Sequence, residues 1–188
     1  MRLLAEMNVV SVGMGLESGS QRVLQYLKGK NSGIEENRSA IRMLKKYKIA
    51  ANASFIMGCP DETREEILET LDFIKKSDLD LFDVYVLTPF PGTPTWTYAL
   101  ERGLVSEEMD WDRLNVTFAS HHKKAIILSE VLTREELHRL FQEFRKLQFC
   151  MIGKNILRHP FLMDIPRMVG NKLIEKSCQA VSFLVGKK

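Results

Sequence analysis

The chain has 188 residues, of which 45% are hydrophobic and 27% charged, and its formal net charge is +3. This composition is typical of a soluble globular protein and argues against intrinsic disorder. With no run of eighteen apolar residues and no basic-then-apolar leader, the sequence predicts neither a membrane span nor a signal peptide. Cys59, Cys150 and Cys178 form no CxxC pair, so neither a zinc site nor a disulfide framework is predicted, and a cytoplasmic location is expected.

The charges are distributed unevenly along the chain. Residues 1–150 contain 20 Lys and Arg against 22 Asp and Glu, whereas residues 151–188 contain 7 against 2. The body of the chain therefore lacks the positive charge of a nucleic-acid binder, and no nucleic-acid partner is expected. The basic C-terminal region predicts an amphipathic helix. We favour packing of this helix against protein over binding to an acidic membrane surface.

Three short apolar runs predict β-strands, at about residues 8–15, 50–57 and 82–87. The middle run is apolar or small, which predicts a strand that is covered on both faces. Each run is followed by a loop and a segment of helical periodicity, the order expected of a parallel α/β sheet with crossover helices. Because a parallel sheet must be covered and its edges protected, three strands are expected to be a fragment of a larger sheet.

Three capping boxes predict where helices begin. The segments Ser32–Glu35, Thr63–Glu66 and Thr133–Glu136 each place a hydroxyl side chain three residues before a glutamate. The last of them precedes a strong apolar stripe of helical spacing, which predicts a long helix. We therefore divide the chain into a strand-bearing part, residues 1–105, and an irregular linker with a helical extension, residues 106–188.

A candidate site, residues 58–62, follows the middle strand, where the chain turns through Gly58, Cys59 and Pro60 into two acidic residues. Glycine permits close approach of the backbone to a ligand, and ligands of parallel α/β proteins bind at the carboxyl ends of strands. The alternative is an ordinary strand-to-helix connection. Cys59 is interpreted as a packing residue, and the adjacent His121 and His122 are interpreted as solvated loop residues.

Three loops taken together resemble the second half of a radical S-adenosylmethionine barrel. Residues 15–21 (GLESGSQ) are similar to the loop after the fourth strand of that fold, where polar side chains contact the ribose and amino-acid part of the cofactor. Residues 56–63 (IMGCPDET) are similar to the motif after the fifth strand, which contacts adenine mainly through backbone. Residues 89–94 (PFPGTP) are similar to the turn after the sixth strand. The resemblance covers roughly residues 3–105 and implies a partial (β/α) TIM-like barrel.

The same resemblance implies a cofactor site at the three strand ends. Its six expected residues are Glu17, Ser18, Ile56, Gly58, Leu87 and Thr88. A carboxylate such as Glu17 can accept hydrogen bonds from a ribose hydroxyl or an ammonium group. For Ser18 a second reading stays open, in which Ser18 and Gln21 cap the following helix.

The C-terminal part resembles the extension of cobalamin-binding members of the same family, a group of cyclases, methyltransferases and iron–sulfur oxidoreductases. The resemblance rests on residues 109–112 (MDWD), the helix after Thr133 and residues 149–160. It implies S-adenosylmethionine and a 4Fe-4S cluster as cofactors of the parent protein, with the use of cobalamin left open. In this family the cluster cleaves S-adenosylmethionine reductively, and the resulting radical abstracts hydrogen from the substrate.

The sequence departs from the family at its defining motif, because it contains no CxxxCxxC. The three thiolates of that motif hold the cluster with one iron open to the cofactor. We therefore expect this chain alone to be inactive and to bind no cofactor, and its partner to be the missing N-terminal half of the parent. Self-association through the exposed sheet edge is also expected. The second reading is a non-catalytic docking or membrane-surface module that uses the basic C-terminal helix. The substrate is not indicated.

Overall fold

A computed structural model describes residues 1–114, 118–155 and 159 of the chain. The helices and strands are α1 Arg2–Glu6, β1 Ser11–Glu17, α2 Gln21–Lys28, α3 Ile34–Lys46, β2 Ala50–Met57, α4 Arg64–Lys76, β3 Leu81–Val86, α5 Pro94–Glu101, a 3₁₀ turn Trp111–Leu114, α6 Phe118–His121 and α7 Arg134–Asn155. Within these ranges no helix is both long and apolar enough to cross a membrane. The predicted basic C-terminal helix lies outside the described residues.

The three strands form one parallel sheet in the spatial order β1-β2-β3. In its register Ser11 lies opposite Ala50, and Phe55 lies opposite Val84. The chain crosses from β1 to β2 through α2 and α3, and from β2 to β3 through α4. The predicted α/β class, with parallel strands, crossover helices and a helical C-terminal extension, is therefore confirmed.

The strand boundaries agree with the prediction for β2 and differ for the other two. The predicted run 8–15 begins too early, because Asn8 has a φ of 57° and ends α1 in the left-handed region. β1 instead starts at Ser11 and continues to Glu17. The third strand, β3, lies one residue earlier than the predicted run 82–87, so that Leu87 directly follows it.

The sheet has one covered face and one open face. Along β2, Ala53, Phe55 and Met57 are buried, whereas Asn52, Ser54 and Ile56 between them are only half-buried. β3 alternates in the same way. The expectation that the middle strand is covered on both faces is therefore wrong, at least among the described residues. Side chains alternate between faces along a strand, so the polar positions of β2 mark the open face.

The covered face carries the main hydrophobic core. α3, α4 and α7 pack on it with apolar side chains, and four phenylalanines meet edge to face within it. The ring centroids of Phe55 and Phe73 are 6.1 Å apart, and those of Phe82 and Phe144 are 6.4 Å apart. Such pairs add about 0.5–1.5 kcal/mol each beyond the burial of apolar area. The core therefore ties β2 and β3 to α4 and α7.

Two of the three predicted capping boxes are confirmed. The Thr63 hydroxyl accepts from the Glu66 N–H at 3.3 Å, and the Thr63 N–H donates to the Glu66 carboxylate at 2.9 Å. The box at Thr133 has the same two hydrogen bonds. The box at Ser32 is wrong, because α3 begins one residue later than a cap at Ser32 would require, with Gly33 at the N-cap.

The starts of α2 and α3 differ from those that sequence patterns predicted. The side-chain carbonyl of Gln21 accepts from the Ile34 N–H at 3.1 Å, so a residue of α2 takes the role expected of Ser32. Gln21 itself opens α2, whose N-cap is Ser20 rather than Ser18. The alternative reading of Ser18 as a helix cap is therefore wrong.

His122 is packed rather than solvated, which corrects the prediction for this residue. Its ring stacks on that of His138 in α7, with centroids 3.9 Å apart and planes 6° from parallel. Phe118 meets both rings edge to face. The segment after α6 is therefore held against the first turns of α7.

α7 also covers the outer edge of β3. The Gln148 amide donates to the Phe82 carbonyl oxygen at 2.7 Å and to the Asp83 carboxylate at 2.8 Å. The Gln148 carbonyl in turn accepts from Arg145. Gln148 is buried, so its hydrogen bonds are protected from water. An edge carbonyl that another strand would use is thus occupied by a side chain.

Replacing Gln148 with alanine should lower the free energy of unfolding by about 1–3 kcal/mol, because the Phe82 carbonyl would stay buried without its donor. Urea unfolding measured by circular dichroism tests this expectation. The matched control is Gln142→Ala, since Gln142 lies exposed on the same helix and bonds only to His138. Equal losses in both variants would contradict the role assigned to Gln148.

Candidate functional site

The carboxyl ends of the three strands lie side by side, because the strands are parallel and in register. Glu17 at the end of β1 lies opposite Phe55 of β2. At the end of β3, the Leu87 N–H donates to the Met57 carbonyl at 2.9 Å. We call this side of the sheet the carboxyl edge. It gathers the three loops in which sequence patterns placed the cofactor residues.

Glu17 occupies an unusual backbone position at this edge. Its φ is 64°, and the register of β1 and β2 shifts between Gly15 and Glu17. A bulge of this kind re-aims side chains at the end of a strand. Burial raises the pKa of the Glu17 carboxyl, and the positive charge of Lys28 offsets part of this effect. Glu17 is therefore a half-buried carboxylate held in a strained conformation, as functional residues often are.

Ser18 faces helix α4 rather than the carboxyl edge. It is fully buried, and its hydroxyl lies 3.0 Å from the Thr70 hydroxyl and accepts from the Ser20 N–H at 3.0 Å. The next residue, Gly19, donates its N–H to the same Thr70 hydroxyl at 2.9 Å. The polar side chain that sequence patterns assigned to the cofactor is thus engaged in docking its loop onto α4.

Gly19 permits this docking because the loop approaches the helix closely. A Cβ atom at Gly19 would lie 2.6 Å from the Phe73 Cβ and 2.6 Å from the Thr70 Cα. Contacts this short are not tolerated, so only glycine fits without a shift of the loop or of α4. The β1–α2 loop, residues 18–20, is therefore positioned by a steric constraint as well as by hydrogen bonds.

Arg22 links the same loop to the turn after β2, and sequence patterns did not single it out. Its guanidinium donates to both oxygens of the Glu66 carboxylate at 2.6 Å, and to the side chain and backbone carbonyl of Asp61 at 2.6 and 2.9 Å. Bidentate geometry of this kind is the strong form of the arginine–carboxylate pair. The hydrogen bond from Arg22 lowers the pKa of Glu66 to about 2. In the sequence, only the acidic residues that follow Gly58 indicated that a basic residue such as Arg22 would pair with this turn.

The turn after β2 depends on the conformation of Gly58. Its φ is 81°, in the region that favours glycine. A Cβ atom there would meet Val86 at 3.4 Å and Leu137 at 3.6 Å, which are ordinary contacts. The requirement for glycine therefore comes from the backbone angle rather than from lack of space. The Gly58 N–H points inward and donates to Glu62 at 2.6 Å.

Glu62 is a buried carboxylate inside this turn. Only 1% of its surface is exposed, and one carboxylate oxygen accepts from the N–H groups of Gly58 and Cys59 at 2.6 and 3.1 Å. The other oxygen, Oε1, is buried without a hydrogen-bond partner among the described residues. Burial raises the pKa of Glu62 to about 7, against the opposing effect of the two backbone donors. Sequence patterns gave no sign that this acid is internal.

The remaining predicted site residues lie in apolar surroundings. Ile56 and Leu87 contact a second hydrophobic cluster, formed by buried side chains of α2, α5 and residues 126–128 around Cys59 and Trp96. The Thr88 hydroxyl donates to the Val86 carbonyl at 3.0 Å. These residues line the carboxyl edge as expected, and their assignment to a cofactor stays a prediction.

The open face next to this edge carries the hydroxyls of Ser54 and Tyr85, which make no hydrogen bond to another described residue. Part of this face is occupied, because a ring nitrogen of His159 lies 3.0 Å from the side-chain oxygen of Asn52, the register partner of Gly13. At Gly13 no described atom beyond its chain neighbours lies within 4 Å of a Cβ position. The two hydroxyls can each donate to and accept from a polar ligand.

The described residues do not fit an iron–sulfur cluster. Within these ranges no group of three or more His, Cys, Asp or Glu side chains could hold a metal ion. Cys59 is buried, and its burial raises the pKa of the thiol, which opposes the thiolate form that metals require. Cys150 is exposed on α7, and Cys178 lies outside the described residues.

Comparison with known proteins finds similarity to radical SAM proteins over part of the chain. A model of the radical SAM superfamily matches residues 1–74. An uncharacterised methyltransferase of Pyrococcus horikoshii is 41% identical over 101 residues, which are 54% of this chain and 22% of that protein. A tRNA-2-methylthio-N(6)-dimethylallyladenosine synthase of Vibrio campbellii is 37% identical over 101 residues, 53% of this chain and 20% of that protein.

A third relative extends further along the chain. An anaerobic magnesium-protoporphyrin IX monomethyl ester cyclase of Rubrivivax gelatinosus is 27% identical over 166 residues, 88% of this chain and 28% of that protein. The chain therefore spans between 20% and 28% of the length of these three relatives. Among solved structures, the archaeal Methanocaldococcus infernus Elp3 with an N-terminal deletion has a TM-score of 0.48 and 12% identity. The match covers 77% of this chain and 38% of that chain.

Replacing Gly19 with alanine should displace the β1–α2 loop from α4 and lower the free energy of unfolding by about 1–3 kcal/mol, as overpacking does. Urea unfolding measures the loss, and amide chemical shifts of Ser18 and Thr70 report the displacement. Gly13→Ala is the matched control, because its added methyl group enters open space. A Gly19→Ala protein with unchanged stability and shifts would contradict the docking geometry.

The matched residues contain β1, β2, the docked β1–α2 loop and the Gly58 turn. These are the elements that build two of the three loops at the carboxyl edge. The sequence match, the parallel sheet and the position of the site together support a fragment of a radical S-adenosylmethionine superfamily protein.

Proposed function

We propose that the carboxyl edge of this sheet forms the ribose and adenine wall of an S-adenosylmethionine site in a radical SAM enzyme of the oxidoreductase or methyltransferase type. The observation that carries the proposal is the meeting of the three predicted cofactor loops at one edge. β1, β2 and β3 are parallel neighbours, and Glu17, Gly58 and Leu87 stand at or just beyond their carboxyl ends. Ligands of parallel α/β folds bind at this position.

In this proposal the residues of the edge bind and orient the cofactor. Glu17 accepts hydrogen bonds from the ribose or the ammonium group, and its left-handed backbone aims the carboxylate. Ile56 and Leu87 give apolar contact to adenine, and the Gly58 turn brings backbone close to the ring. Thr88 continues the wall after β3. Ser18 supports the site indirectly, because its hydrogen bond with Thr70 fixes the position of the β1–α2 loop.

The bound cofactor would supply, with an iron–sulfur cluster, the radical that activates the substrate. Nothing in the described residues fits the cluster, so we assign its ligands to parts of the parent protein outside this chain. The residues of the carboxyl edge then contribute position and exclusion of water rather than electron transfer.

We also propose that the parent belongs to the cobalamin-binding subfamily. Residues 109–112 and helix α7 resemble the extension of that subfamily, and the cyclase relative aligns over 166 residues, beyond the strand-bearing part of the chain. The three relatives are named as an uncharacterised methyltransferase, a tRNA-2-methylthio-N(6)-dimethylallyladenosine synthase and an anaerobic magnesium-protoporphyrin IX monomethyl ester cyclase. A parent protein purified without the absorbance of cobalamin would contradict this assignment.

The cofactor proposal is tested by titrating the chain with S-adenosylhomocysteine, which is not cleaved, while amide chemical shifts are recorded. Because the chain carries only one side of the proposed site, it should bind the ligand weakly. Binding should therefore appear as amide shifts in fast exchange at millimolar ligand. The largest shifts are expected at Glu17, Ile56 and Gly58. Shifts spread evenly over the chain, or none at the carboxyl edge, would contradict the proposal.

Two glycine variants separate ligand contact from loss of stability. Gly58→Ala and Gly29→Ala both place a side chain at positive φ, 81° and 91°, so both variants carry backbone strain. Gly29 ends α2 and is not one of the proposed cofactor residues. The ligand-induced shifts should therefore weaken in Gly58→Ala and persist in Gly29→Ala.

We further propose that the partner of this chain is the remaining half of the barrel, which pairs with the free edge of β1. Without it, the purified chain should self-associate through that edge and should take up no cluster on anaerobic reconstitution with iron and sulfide. Light scattering and visible absorbance measure the two outcomes. A clean monomer, or iron–sulfur absorbance after reconstitution, would each contradict the corresponding expectation.

A further inference from the structure

The Gly58 turn is held by an acid that a purely structural role does not require. Glu62 accepts from the N–H groups of Gly58 and Cys59, which a neutral amide side chain could also do. A buried carboxylate instead destabilises the folded chain unless it is paired. Its Oε1 atom has no hydrogen-bond partner among the described residues. The Glu62 side chain is therefore destabilising when ionised, and one of its two carboxylate oxygens has no hydrogen-bond donor among the described residues.

Among the described residues, no cation forms an ion pair with Glu62. The positive charge of Arg22 in α2 acts on Glu62, but its guanidinium is bound to Glu66 and Asp61 instead. The other titratable groups that act on Glu62 are acidic or weakly acidic. They are Glu66 of α4 and the Cys59 thiol in the turn.

The segment that passes over the turn supplies no positive partner either. Its Glu130 donates a backbone N–H to the Pro60 carbonyl at 2.7 Å. The Glu130 carboxylate is directed away, to Tyr98 and Arg102. On the α7 side, Gly58 meets the apolar side chain of Leu137.

We propose that Glu62 is a positioning residue whose charge sets how tightly the backbone of Gly58 and Cys59 is held, so that the geometry of the turn follows the protonation of this one side chain. The ionised carboxylate is the stronger acceptor and draws both N–H groups inward. The neutral acid is the weaker acceptor and relaxes them. Since the Gly58 turn is the proposed adenine wall, ligand contact there depends on this proton, a consequence that rests on the proposed function.

The sign of the effect on stability follows from the raised pKa. Glu62 has a pKa of about 7 in the folded chain, above the ordinary carboxyl value of the unfolded chain. Its favourable contribution is therefore present at acidic pH and is lost as the pH rises toward 7. Glu62→Gln, which does not ionise, should gain stability relative to the native chain over the same range.

The test follows the full chain by NMR from about pH 5 to pH 9, with the Glu62 side-chain carbonyl and the backbone amides observed together. We expect the Gly58 and Cys59 amides to shift with the same midpoint as the Glu62 side chain. In Glu62→Gln both amides should stay flat. Glu65→Gln is the matched control, because it removes the same charge from an exposed position of α4 and should leave the coupled titration unchanged.

Two outcomes would overturn the proposal. Glu62 could titrate in the ordinary carboxyl range, or it could titrate near neutrality while the Gly58 and Cys59 amides remain still. Neither measurement uses a ligand, so it is independent of the cofactor proposal. Repeating the S-adenosylhomocysteine titration at acidic and alkaline pH then separates the cofactor proposal from the dependence on Glu62. Ligand-induced shifts that do not change with pH would agree with the cofactor proposal and would contradict the dependence of ligand contact on the Glu62 proton.

Discussion

The N-terminal half of α4 supports two of the three loops at the carboxyl edge. Glu66 completes the capping box with Thr63 and receives the guanidinium of Arg22, while Thr70, one turn further on, receives Ser18 and Gly19. Residues three and four apart share one face of a helix, so a single face holds both loops. The two loops cannot move independently, because each is bonded to the same short stretch of helix. Their relative position is therefore set before any ligand is present.

The fold was largely predictable because it depends on periodicity and on parallel order. The apolar run of β2 and the boxes at Thr63 and Thr133 are local signals, and local signals sufficed there. One wrong prediction has a local cause, and the other depends on a contact between residues distant in sequence. Asn8 delays β1 through a left-handed helix end, and Gln21 takes the capping role expected of Ser32 from another helix. No single window of sequence contains both partners of such a contact.

The candidate site was predictable in place and less so in detail. Loop motifs located the carboxyl edge, but they could not tell that Ser18 faces inward or that Glu62 is internal, since burial is decided by how α4 lies against the loops. Arg22 and Gly19 have their partners 39 to 51 residues away in sequence. Function-bearing motifs thus identify a loop, whereas the residues that hold it in place are identified only by the fold.

The side chain of Gln148 has a consequence for the direction in which this sheet can be built. Because it occupies the Phe82 carbonyl, one backbone acceptor on the outer edge of β3 is closed to a further strand. Among the described residues β1 pairs only with β2, so the other edge of β1 is the one that an additional strand, from the same polypeptide or from another copy, can join. A three-stranded unit with such a cap on β3 is therefore expected to grow from the β1 side when it becomes part of a larger sheet.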